Sequence, residues 1–118
     1  MREEAKLAST SGYLEYVLEQ LSDVESITYK AMMGEYILYC QGKIFGGVYD
    51  DRLLVKPTAA AAALMPDAAR EQPYPGAKEM LLVDSVDDRT FLKALVETML
   101  PELSAPGRAR KRNEEKKG

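Results

Sequence analysis

The sequence contains no histidine and a single cysteine. One cysteine cannot form an internal disulfide, and without histidine a zinc site of the usual nitrogen and sulfur ligands is excluded. The missing histidine also removes the commonest general base and the usual activator of a serine or cysteine nucleophile, so most hydrolytic triads are ruled out. Long apolar runs are absent too, none approaching the roughly 18 residues that a membrane span requires. The N-terminal stretch MREEAKLASTSG carries acidic residues and no apolar core, unlike a secretory signal or a transit peptide. A cytoplasmic protein is expected, with no membrane association and no cofactor.

What is present fits one domain. A chain of 118 residues is long enough for a single core and too short for two. Charge is uneven: residues 1–103 hold ten basic and 17 acidic side chains, a balance of −7, while 104–118 hold six and two, a balance of +4. The expected layout is a flexible segment over 1–10, a folded domain over 11–103 and a disordered basic tail over 104–118.

Periodicity assigns the elements. Leu14, Val17, Leu18 and Leu21 recur at helical steps, with Ser11 as a cap candidate. From Ile27 onward, β-branched and aromatic residues accumulate in ITYKAM, EYILYC, KIFGGVY and RLLVK, which predicts four strands. Gln41-Gly42 and Asp50-Asp51 leave about two residues for each reversal, enough for a hairpin. Thr58 caps a short alanine helix that ends at Pro66, DAAREQPYPGAKE is predicted as an irregular loop, and MLLVD as a strand covered on both sides. The acidic run at Asp87-Asp88 opens a last helix with Phe91, Leu92, Leu95, Val96 and Met99 on one face. The order is α-β-β-β-β-α-β-α, an α+β fold with a mainly antiparallel sheet of about five strands and helices on one face.

Four features invite a functional assignment. In CQGKIFGG, Lys43 follows Gly42 as in a phosphate loop, but Ile37 and Ile44 stand where a P-loop needs glycine and Ser or Thr. The stretch is therefore predicted as a hairpin, with Gly46 and Gly47 marking a bulge or a close approach, expected against the alanine helix. Asp84, Asp87, Asp88, Asp50 and Asp51 match no calcium-loop spacing and fall where caps and turns occur. Tyr29, Tyr36, Tyr39 and Tyr49 sit on predicted strands like the base-stacking aromatics of RNA-binding sheets, yet in an acidic body, which favours ordinary sheet packing. Cys40 is expected to be a half-buried apolar residue rather than a reactive thiol.

The stretch KAMMGEYILYCQGKIFGGVYDDRLLVK, Lys30 to Lys56, resembles the characteristic segment of the N-terminal domain of the TfoX/Sxy family. Met32, Gly34, Tyr36, Tyr39, Gly42, Phe45, Gly46, Leu53 and Lys56 match its pattern in order; Met33 and Glu35 depart from it, where the family often has Phe and Gly. Pro73-Tyr74 resembles the family's Pro-aromatic step, and Asp87-Asp88 its final helix start. The resemblance covers about residues 11–100. It implies an α+β domain and a link to regulators of bacterial competence that act with a cyclic-AMP receptor protein at promoters. Those regulators carry a second, helical C-terminal domain for which no room is left here, so a stand-alone domain is expected.

The resemblance offers no catalytic residues, and the function expected is therefore non-enzymatic: a regulatory or protein-interaction domain whose partner is another protein. The alternative is a nucleic-acid accessory protein that contacts phosphates through Arg108, Arg110, Lys111 and Arg112 of the tail.

Overall fold

Three two-residue reversals organise the first half of the chain. A type I′ hairpin turn, whose twist matches that of its strands, needs positive φ at both central residues. Met33 and Gly34 stand at φ 54° and 85°, Gln41 and Gly42 at 55° and 79°, Asp50 and Asp51 at 55° each. Only two of these three turns are predicted above, because Met33-Gly34 lacks a polar first residue. A computed structural model describes residues 11–104. Between the turns run β1 (Ile27–Met32), β2 (Glu35–Cys40), β3 (Lys43–Val48) and β4 (Leu53–Val55). The flanking elements are α1 (Ser11–Gln20), α2 (Ala59–Leu64), β5 (Arg70–Glu71), β6 (Met80–Leu82) and α3 (Arg89–Met99), which leads into a 3-10 turn over Leu100–Glu102.

The fold is α+β, with one antiparallel sheet of six strands in the order β1-β2-β3-β4-β6-β5. The extra strand is β5, which lies in the predicted loop. Two residues have no periodicity to detect, and Arg70 and Glu71 become strand only by pairing with Leu81 and Met80. Strand β6 is half covered rather than enclosed: Leu81 is buried, Met80 and Leu82 half-buried. Ser11 lies inside α1 rather than capping it.

All three helices cover one face of the sheet. Leu14 and Val17 of α1, Ala61 of α2 and Leu92, Leu95, Val96 and Met99 of α3 share a core cluster with Leu38, Phe45, Val48, Leu53, Val55 and Leu81. Alanine suits α2 because a small side chain lets this six-residue helix lie close, and so short a helix depends on such packing. Two side chains cap its N-terminus: the Thr58 hydroxyl accepts from Ala61 N–H at 3.1 Å, and Glu102 Oε1 from Ala60 N–H at 3.1 Å. Asp88 does the same for α3, accepting from Phe91 N–H at 3.0 Å.

Strand β3 contains a bulge. Leu38 pairs with Gly46 and Tyr39 with Ile44, so Phe45 has no partner of its own on β2. The extra residue turns Phe45 into the core, fully buried, while Ile44 stays exposed. The glycines beside it do approach other groups closely, but not the alanine helix. A Cβ on Gly46 would collide with Leu54 O and lie 2.9 Å from Val55 Cα, and one on Gly47 would lie 2.6 Å from Tyr36 O and 2.7 Å from the Tyr49 ring. Neighbouring strands and an aromatic ring, not α2, exclude a side chain there. Among the described residues no helix is long and apolar enough to cross a membrane.

Candidate functional site

Burial divides the sheet into unequal ends. All three residues of β4 are buried, whereas in β1 only Ile27 is partly covered and the other five residues are exposed. Tyr29 is 49% exposed, Met32 44% and Met33 94%. The Tyr29 and Tyr36 rings meet edge to face, with centroids 6.0 Å apart and planes at 83°, a favourable geometry for the ring quadrupoles. Alongside, an open groove of about 590 Å³ runs between the end of α1 and β1, lined by Leu18, Leu21, Val24, Ser26, Ile27 and Tyr29 among others. This hairpin, with its groove, leaves several apolar side chains in contact with solvent.

Most of the signature residues of the sequence serve the fold. Gly34 and Gly42 supply positive φ in two hairpins, Gly46 permits the close approach to β4, and Phe45 fills the core. Tyr36 and Tyr39 are half-buried on β2, and Lys56 closes the β3–β4 ladder by donating its N–H to Phe45 O at 2.9 Å. Met32 is different, because it is exposed beside Met33. Arg108, Arg110, Lys111 and Arg112 lie outside the described residues. Among those described, no group of three or more acidic or Cys side chains stands close enough to hold a metal ion. Asp88 caps a helix, while Asp50 and Asp51 form a turn.

Cys40 is fully buried and its thiol donates to Glu25 O at 3.4 Å. Burial, with Glu97 nearby, raises its pKa against the opposing pull of Lys43, so the nucleophilic thiolate is disfavoured. Lys43 Nζ donates to Leu100 O at 3.5 Å, tying the hairpin to the end of α3 rather than meeting a phosphate. Burial also raises the pKa of Tyr49, reinforced by Tyr74, Glu35 and Tyr39, and that of Tyr13, reinforced by Tyr16 and Asp51. Both phenols stay neutral at physiological pH.

Sequence reasoning missed Arg52. Its Nη1 donates to Glu71 Oε1 at 2.6 Å, its Nε to Tyr49 O at 3.0 Å, and its Nη2 to the Gln72 and Pro73 carbonyls at 3.4 Å. This clasp fixes the loop that carries Tyr74 against Tyr49, where ring centroids are 6.5 Å apart. Arg89 likewise joins α3 to the turn after α1, through Ser22 Oγ at 2.5 Å and Asp23 Oδ1 at 3.6 Å. No local spacing announces either, since both arginines find partners far along the chain.

Fold and site define a small α+β domain that offers an aromatic, methionine-tipped strand edge and no assembled catalytic constellation among the described residues. The chain matches the TfoX N-terminal domain over residues 19–99, well over half its length, and belongs to that family. It is 34% identical over 80 residues to an "Uncharacterized 12.7 kDa protein in trpE 5'region" of Spirochaeta aurantia, a match spanning 68% of this chain and 70% of that protein. No solved structure matches the chain.

Proposed function

We propose that the chain is a non-enzymatic regulatory domain of the bacterial cytoplasm that acts by binding another protein through the β1–β2 hairpin. The observation that carries this is Met33. Its side chain is 94% exposed, and its backbone stands at φ 54°, a conformation that costs a residue other than glycine about 1 kcal/mol or more. Nearly the whole of that apolar side chain faces solvent, so packing within the domain does not explain it. A flexible, polarisable thioether at the tip of this hairpin, following the exposed Met32, suits a surface that moulds to a partner. Membership of a family that resembles competence regulators supports the same reading.

Affinity capture tests it. The full chain used as bait in bacterial lysate is expected to retain a discrete partner that Met33→Glu loses while its melting temperature holds. A partner held equally by both baits contradicts the assignment to this hairpin.

A second reading rests on the six basic residues of 104–118, which fit a role in contacting nucleic acid. It predicts binding that falls steeply with salt and disappears on truncation after Ala105; binding that survives truncation counts against the tail.

A further inference from the structure

The two edges of the sheet are built differently. Strand β5 is two residues long and both are charged, Arg70 and Glu71, so it offers little to an incoming strand. Strand β1 is six residues long, has no proline, keeps an unbroken register against β2 and carries one charge, Lys30. Such a long, regular and nearly uncharged edge is a template for strand addition.

Its hydrogen-bonding phase is fixed. Gln41 N–H donates to Ser26 O at 3.0 Å, and the Met33-Gly34 turn closes on the Met32–Glu35 pair. Alternation then directs the backbone groups of Ser26, Thr28, Lys30 and Met32 towards β2 and those of Ile27, Tyr29 and Ala31 outward. The outward set is what a new strand can bond. By the same alternation, the Ile27, Tyr29 and Ala31 side chains lie on the helix-bearing face, beside the groove under α1.

We infer that the occupant of this edge is a second copy of the chain, with the two β1 strands antiparallel about a two-fold axis at Tyr29. This rests on the interaction-domain reading and names one partner for its hairpin. Two registers keep most of the strand paired with the outward groups bonded. One centres on Lys30 and places two lysines directly opposite each other, which is destabilising. The other centres on Tyr29. It sets Lys30 opposite Thr28 of the second copy, Ile27 opposite Ala31, and Met32 opposite Ser26. Like charges never face each other, the two Tyr29 residues meet at the axis, and each strand brings a tyrosine to the other's groove. The strand is complementary to itself in that register alone, and the two six-stranded sheets become one.

Sedimentation equilibrium of the full chain, followed by disulfide trapping, tests this. A monomer–dimer equilibrium is expected. Ala31→Pro should shift it to monomer without disturbing the fold, because the lost N–H points outward and edge strands tolerate proline. Tyr29→Lys should do the same by placing like charges at the axis. Thr28→Glu, which faces Lys30 twice per dimer, should tighten association by roughly threefold to tenfold at low salt. Under mild oxidation Tyr29→Cys should form covalent dimers, since opposed bonded residues have Cα atoms about 5.5 Å apart. Lys30→Cys should not. A chain that is monomeric at every concentration, or a dimer that Ala31→Pro and Tyr29→Lys both leave intact, overturns the inference. If the chain is monomeric and Met33→Glu still loses a foreign partner, self-pairing fails while the interaction-domain reading stands.

Discussion

Strands β4 and β1 belong to one sheet and both read as strands in the sequence, yet every residue of β4 is buried while five of the six in β1 are exposed. The difference lies in position. Strand β4 has a neighbour on each side and the helix layer beneath it, whereas β1 has β2 on one side and an open groove on the other. β-propensity measures fit to a pleated surface and does not say what covers that surface. The buried end therefore accounts for stability, and the open end is where function is to be sought.

Substitutions should separate the two ends. Gly46→Val is expected to have the largest effect, because the added Cβ collides with Leu54 O and the approach of β3 to β4 is backbone against backbone. Loss of cooperative folding, seen by circular dichroism, is the expected outcome; a protein that melts near the wild-type temperature contradicts the packing described. Phe45→Ala should follow at about 3–5 kcal/mol, measured by urea denaturation, since it empties a fully buried site in the bulge. Asp88→Ala removes the α3 cap and should cost about 1 kcal/mol. At the open end Met33→Asn should leave stability within about 0.5 kcal/mol of wild type, because asparagine tolerates positive φ, while partner capture is lost. An equally large stability change at Met33 and Phe45 would erase the distinction between the ends.

A smaller effect should appear at high pH. The pKa values of Cys40, Tyr13 and Tyr49 are all raised, chiefly by burial, so the folded state holds these protons more tightly than the unfolded chain. Linkage then makes their contribution complete below the ordinary thiol and phenol range and progressively lost as pH rises beyond about 9 and through the raised values. The urea midpoint should fall over that range, and Tyr49→Phe should flatten part of the decline. A midpoint that rises with pH there is the opposite sign and contradicts the assignment.

Much of the fold was legible in the sequence because its signals are local. The 3.6-residue spacing of Leu14, Val17, Leu18 and Leu21, the alanine run after Thr58 and the β-branched strands each report on their own segment. Strand β5 was not legible, because two residues carry no period and its existence depends on β6. The glycine pair announced a close approach, but which group approaches is a matter of tertiary pairing, and the neighbouring strands and Tyr49 proved to be the answer rather than α2. The candidate site was least legible. ITYKAM has the composition of a half-buried strand, and only its place at the sheet edge leaves Tyr29 and Met32 in solvent. Arg52 and Arg89 gave no warning at all, since their partners lie far along the chain.

Amide hydrogen exchange on the full chain, measured at high and low protein concentration, reads the pairing of the β1 edge residue by residue. Tyr29 and Ala31 N–H groups should be protected at high concentration and exchange freely on dilution, while the amides of β3 and β4 stay protected throughout. Free exchange at Tyr29 and Ala31 at every concentration would contradict it.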